Sequence, residues 1–251
     1  MCRSHKFEGV PVRRDRIRME IEKNTVPAEN QLPEQEEIAF AGDRGADIRI
    51  AFVGNSITRH APSEELGWHG DWGMAASGEE KDYVHRVLAG LRDRGWRASA
   101  CICNASRWEK CCGEGFDLRR YEAVREYEPD YLILRLVENC PVEGFCEERF
   151  ERAYQELIDF FGGEHTRVIL TTGFWKHPGD RVILRIARRR GYPVAYLGEL
   201  GEQERMKAVG CFAHTGVAAH PGDLGMEQIA EELLGLMMAE AREEQNEDSD
   251  L

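Results

Sequence analysis

Five short apolar runs punctuate the chain, at residues 48–53 (Ile-Arg-Ile-Ala-Phe-Val), 98–103 (Ala-Ser-Ala-Cys-Ile-Cys), 131–137 (Tyr-Leu-Ile-Leu-Arg-Leu-Val), 167–172 (Arg-Val-Ile-Leu-Thr-Thr) and 193–197 (Pro-Val-Ala-Tyr-Leu). Each has the length of a strand, and near-continuous apolar character is what a strand covered on both faces requires. Between the runs, apolar residues recur at helical spacing: Tyr83, Val84, Val87, Leu88 and Leu91; Phe150, Tyr154, Leu157, Ile158 and Phe161; and Val182 to Ala187. A final stripe joins Met226, Ile229, Ala230, Leu233, Leu236 and Met237. Strands alternating with helices predict a five-stranded parallel sheet with helices on both faces, a three-layer α/β/α sandwich.

The boundaries follow from where this pattern stops. Residues 46–241 form the predicted domain. Residues 1–45 read as an extension in which Ile17, Met19 and Ile21 alternate with charged residues as one strand, followed by a proline- and acid-rich linker. Residues 242–251 are acidic, carry almost no apolar material and are expected to fray. A chain of 251 residues suits one such domain.

A formal net charge of -13 argues against nucleic acid and anionic membranes, which are bound through clustered Lys and Arg. The run Arg188-Arg189-Arg190 lies before Gly191, where cations complement a helix C-terminus. No apolar stretch approaches the ~20 residues of a membrane span. The first 30 residues are too charged for a secretory signal, so a cytoplasmic location is expected. The eight cysteines lack zinc-type spacing and read as reduced thiols, with no structural metal.

In a parallel sheet the residues just after the strands converge on one edge, however far apart they lie in sequence. Ser56 follows the first run, Asn104 and Ala105 the second and Asn139 the third, while His220 precedes the last helical stripe. A hydroxyl, an amide and an imidazole on one rim are the parts of a serine acyl-transfer site. Ser56 serves equally as a plain helix cap. His60, four residues after Ser56, either lines the pocket or packs; His85 reads as a packing or surface residue, and His177 and His214 as loop residues. Trp68 and Trp72, in a glycine-rich loop after Ser56, either offer flat faces to a sugar, with His69 and Asp71 as polar contacts, or plug the end of the core.

Gly54-Asn55-Ser56-Ile57-Thr58, Asn139 in Val137-Glu138-Asn139, and His220-Pro221 together resemble the motifs of the SGNH, or GDSL-like, hydrolase family over about residues 48–240. The resemblance implies a flavodoxin-like fold and ester hydrolysis, often deacetylation of carbohydrates, with neither metal nor organic cofactor. It implies Ser56 as nucleophile, His220 as base, and an oxyanion site made by the Ser56 N–H, the Asn139 side chain and a backbone N–H near Ala105, with Gly113 as a lesser alternative. Two positions depart from the pattern. Val217 stands where the family has an Asp that orients its His, and Val137 where it has glycine. His220 is then oriented by a backbone carbonyl or by a borrowed carboxylate, Glu109 or Glu138; Asp223 is better read as a helix cap. The expected activity is cleavage of a small acyl ester, acetyl first, on a carbohydrate or similar small molecule. The rival is a non-catalytic small-molecule binder on the same fold; a nucleotide binder is disfavoured because no GxxxxGK[ST] loop is present.

Overall fold

The structure, a computed structural model, describes residues 31–43 and 45–249, with the backbone alone at residue 34 and at residues 241–249. The strand expected at Ile17–Ile21 lies outside the described residues. Six strands form the sheet: β1 (Ile38–Gly42), β2 (Ile48–Gly54), β3 (Ala98–Asn104), β4 (Tyr131–Leu134), β5 (Arg167–Thr171) and β6 (Val194–Ala195). Their spatial order is β1-β3-β2-β4-β5-β6. The last five are mutually parallel, in the order of a flavodoxin-like sheet.

β1 corrects the five-stranded expectation. It lies in the stretch read as extension and pairs antiparallel with β3, Phe40 opposite Cys101. As a half-exposed edge strand, with Phe40 63% exposed, it lacks the continuous apolar run that marks the interior strands. The described residues of the linker before it pack against the domain. Gln31 and Leu32 are buried, and buried Glu37 is held by Arg107 at 2.7 Å and Arg120 at 2.6 Å.

The helices are α1 (Tyr83–Asp93), α2 (Ser106–Lys110), α3 (Glu122–Glu126), α4 (Glu147–Phe161), α5 (Asp180–Arg190), α6 (Gly198–Glu202), α7 (Thr215–Ala218) and α8 (Asp223–Ser249). The two-residue period of β2 sends Ile50 and Phe52 to one core, with Tyr83, Val87, Met226 and Leu233 of α1 and α8. It sends Ala51 and Val53 to the other, with Phe150, Tyr154 and Leu157 of α4 and Val182 and Ile186 of α5. These are the two outer layers of the sandwich. The backbone of α8 continues to Ser249, consistent with the helix-favouring Ala, Glu, Arg and Gln residues there. Asp223 opens α8, but its carboxylate accepts from Ser77 N at 2.8 Å and Oγ at 2.7 Å and faces Lys81 at 3.2 Å, so it ties a loop down.

Candidate active site

At the end of β2 the chain turns without entering a helix; the Asn55 carbonyl accepts the N–H groups of Thr58 and Arg59. Gly54 is required by close approach, since a Cβ there would lie 1.9 Å from Thr58 Oγ1. This turn leaves Ser56 at the C-terminal edge of the sheet, only 2% exposed. Its Oγ is 2.9 Å from His220 Nε2. His220 lies between α7 and α8, also 2% exposed, and its Nδ1 is 2.7 Å from the Gly216 carbonyl. A carbonyl only accepts, so Nδ1 carries the proton and the Nε2 lone pair faces the hydroxyl. Burial pushes the imidazole down to about 4 against the Gly216 hydrogen bond, with the nearby His60 and Arg135 acting in the same direction as burial. His220 is therefore neutral at pH 7, the state a general base requires. The indole of Trp175 meets the imidazole edge to face, centroids 5.0 Å apart.

Of the orienting groups weighed from sequence, a backbone carbonyl or the Glu109 or Glu138 carboxylate, the carbonyl is the one that meets His220, and both carboxylates are bonded elsewhere. Glu109, on α2, accepts from Asn55 Nδ2 at 3.1 Å and Val137 N at 2.5 Å on one oxygen, and from Asn139 Nδ2 at 2.6 Å on the other. Glu138 accepts from Asn55 Nδ2 at 2.8 Å, Phe174 N at 2.9 Å and Arg135 at 2.5 Å. Arg135 also donates to Asn55 Oδ1. Neither carboxylate hydrogen-bonds His220; the Gly216 carbonyl takes that part. Burial raises Glu109 to about 7, helped by the Glu138 charge and opposed by Asn139, Arg135 and Asn55. Burial also works on Glu138, but the Arg135 charge and the bonds from Phe174, Asn55 and Arg135 outweigh it and leave its carboxyl below the ordinary value.

Ala105 also departs from expectation. Its N–H donates to the Gly54 carbonyl at 2.6 Å, and that of Gly113 to the Trp108 carbonyl at 3.0 Å, so both are spent inside the fold. Among the described residues the Ser56 N–H has no hydrogen-bond acceptor. Asn104 anchors the neighbouring loops, its Nδ2 donating to the Arg59 carbonyl at 2.7 Å and Gln31 Oε1 at 3.1 Å.

The tryptophan loop divides. Trp68 is 2% exposed, its indole N–H donating to the His60 carbonyl at 3.1 Å and its ring packed on Trp72 and Phe212; it plugs a small core and cannot be a sugar platform. Trp72 is half-buried and donates to the Ala76 carbonyl at 2.9 Å. His69 and Asp71 are exposed, Asp71 facing Arg59 at 2.9 Å. His60 is buried, with Nδ1 2.6 Å from the Ala61 carbonyl. His177 is locked to the Cys140 carbonyl at 3.0 Å and accepts the Gly179 N–H at 2.9 Å; His214 caps α7 by accepting the Val217 N–H at 3.3 Å, and His85 sits 2.9 Å from Asp82. Each of these three histidines thus has a structural tie in place of a loose loop or surface setting. Val217 is 1% exposed in the small core with Leu66, Trp68 and Met74.

Sequence reasoning missed Arg135, Asn55 as a network member, the Gly216 carbonyl and Trp175. Arg135 did carry a signal, an arginine inside an otherwise apolar run; a carbonyl and a ring contact carry none. Among the described residues no His, Cys, Asp or Glu cluster is arranged to hold a metal, and no helix is long and apolar enough to cross a membrane.

No family model matches this sequence, and no curated protein does at a significant level. Solved structures do match. The psychrotrophic esterase EstA from Pseudoalteromonas sp., solved inhibited by monoethylphosphonate, superposes with a TM-score of 0.52 at 14% identity, over 78% of this chain and 100% of that one. The salicylyl-acyltransferase SsfX3 from a tetracycline biosynthetic pathway gives 0.55 at 14% identity, over 79% of this chain and 56% of that one. The present chain thus spans little more than half of the acyltransferase's length. At these identities the likeness is one of fold.

Proposed function

We propose that this chain, which has the three-layer fold of the SGNH hydrolases, is a serine hydrolase of small acyl esters working through a Ser56–His220 dyad. The observation that carries this reading is the 2.9 Å contact between Ser56 Oγ and His220 Nε2, with the opposite ring nitrogen held 2.7 Å from the Gly216 carbonyl. His220 takes the Ser56 proton as Oγ attacks the ester carbonyl. The oxyanion that develops draws on the Ser56 N–H and the Asn139 side chain. The imidazolium then protonates the departing alkoxide, and water, activated by the neutral imidazole, attacks the acyl-Ser56 ester to release the acid and restore the serine.

A small acyl group, acetyl first, is favoured by crowding: Ser56 is nearly enclosed, Val137 is buried beside Asn139, and Trp175 lies against His220. A carbohydrate or related polyol as the alcohol is supported by exposed His69 and Asp71 and half-buried Trp72 on the loop after the nucleophile. The carboxylate that usually stabilises the imidazolium is replaced by a carbonyl dipole, so turnover should be slower than that of a full triad.

The test is hydrolysis of p-nitrophenyl acetate together with mass spectrometry after a fluorophosphonate probe. Turnover with the probe on Ser56 is expected. Ser56→Ala and His220→Ala should each lower kcat by roughly 10³-fold or more, and the double variant should lose little further, because the two groups act as a unit. Absence of both turnover and labelling favours a non-catalytic binder on this fold; strictly additive losses refute the dyad.

A further inference from the structure

A carboxylate with no exposed surface has to be satisfied by the protein, and the three N–H groups that satisfy Glu109 come from three functional positions: Asn55 beside the nucleophile, the Val137 backbone, and the Asn139 side chain. We infer that Glu109 is the positioning residue of the oxyanion side of the site, fixing the Asn139 amide relative to the Ser56 loop, and that it does so only in its ionised form. This inference rests on the proposed hydrolase reading.

An ionised carboxylate is purely an acceptor, so all of its lone pairs suit N–H donors. Protonation falls on the oxygen that bonds Asn139, because the other already takes two N–H groups, and a carboxylic O–H oxygen accepts more weakly than a carboxylate, so the Asn139 contact loosens. Asn139 is the contact that matters. A primary amide has two N–H bonds and one oxygen, and nothing in its shape selects which end faces a given direction. Ionised Glu109 selects the nitrogen end. With one Nδ2 hydrogen committed to Glu109, the plane of the amide is set, and with it the direction in which the group can donate to a developing oxyanion. Because Asn55 bonds to the same carboxylate and adjoins Ser56, the donor and the nucleophile are referenced to one rigid group.

The charged and titratable groups around Glu109 are those of every element packed on it. Arg135 and Glu138 come from the end of β4 and its following turn, Tyr154 from α4 and Cys140 from the loop after Asn139. Burial and then the Glu138 charge raise Glu109 to about 7 against Asn139, Arg135 and Asn55, while burial pushes His220 down to about 4. The two groups are thus far enough apart to be read separately. In a serine hydrolase of ordinary design the acid limb of the rate profile reports the histidine base. Here it should report Glu109.

The sign is direct. Activity needs neutral His220 and ionised Glu109, so kcat should climb as pH rises through about 7 and level off above. Glu109→Gln keeps the shape but places an amide N–H2 where an acceptor stood, imitating the protonated state at every pH. At alkaline pH it should lower kcat by about 10-fold or more with a smaller change in KM, and its profile should lose the limb near 7 and retain only that of His220 near 4. Glu109→Asp should recover part of the rate and of the limb. A second measurement needs no variant: the side-chain amide NMR signals of Asn139, in isotopically labelled wild-type protein, should shift with a midpoint near 7. An active wild type whose limb near 7 survives Glu109→Gln, or Asn139 signals that do not move across that range, overturns the positioning role alone. A wild type that neither turns over ester nor labels at Ser56 overturns the hydrolase reading, and this role with it.

Discussion

Val217→Asp introduces the Asp that the SGNH motif pattern places three residues before its histidine, and it should damage the protein rather than improve it. Val217 is 1% exposed and packs with Leu66, Trp68, Met74, Ala75 and Ala208, an apolar cluster. Losing the valine contacts forfeits about 2 kcal/mol of burial. A carboxyl held neutral there at pH 7 must be raised by about three pKa units, a further ~4 kcal/mol. The sum, about 6 kcal/mol, is a large part of the 5–15 kcal/mol typical of a domain, and should lower Tm by about 12 °C or more. The catalytic return is small, since a carboxyl kept neutral in that cluster offers the imidazolium no charge and the Gly216 carbonyl already holds His220 in the working tautomer. Thermal denaturation and the kcat for p-nitrophenyl acetate should be measured on Val217→Asp beside Val217→Thr, which adds a polar atom without a charge. Val217→Asp should be the far less stable of the two, and neither should exceed the wild-type kcat. A Val217→Asp protein with unchanged Tm and kcat raised tenfold would refute the reasoning, for it would mean that the side chain reaches His220 and that the cluster is not tightly packed.

Asn139→Ala should reduce kcat by about 10² to 10³, or about 3 to 4 kcal/mol, with KM changing far less; a rise in KM alone would assign Asn139 to substrate binding. Removal of the same N–H takes a donor from Glu109, so any acid limb left in that variant should move to higher pH. Arg135→Met strands the buried Glu138 carboxylate and should cost about 3–5 kcal/mol by urea denaturation, whereas Arg135→Met with Glu138→Gln should recover part of that loss; equal instability of the two would show that the ion pair is not the cause. Among the thiols, Cys112 is half-buried and lowered by its hydrogen bond with Cys140, against burial and with help from Arg149, while burial raises Cys101 and Cys103. Iodoacetamide at neutral pH should therefore modify Cys112 well before either strand cysteine, as peptide mapping would read.

The sequence by itself determined the sandwich and pointed to Ser56 and His220, which the fold brings 2.9 Å apart. Continuous apolar runs at 48–53, 98–103, 131–137 and 167–172 can be buried on both faces only in a covered parallel sheet, and that topology alone carries Ser56 and Asn139 to one edge. β1 escaped because an edge strand needs only half of that pattern. What only the tertiary structure decided is which polar group serves which. Glu109, Glu138, Asn55, Arg135 and Asn139 come from three strand ends and are all plausible partners for His220 or for an oxyanion when judged by type. Hydrogen bonding depends on separations of a few tenths of an ångström and on direction, and neither is encoded in spacing along the chain. So the orienting group for His220 turned out to be a main-chain carbonyl, which every residue possesses and no sequence can single out. Burial followed the same rule: Trp68 and Trp72 are alike in sequence, and only the packing of Phe212 and the reach of its N–H to the His60 carbonyl sent Trp68 inside.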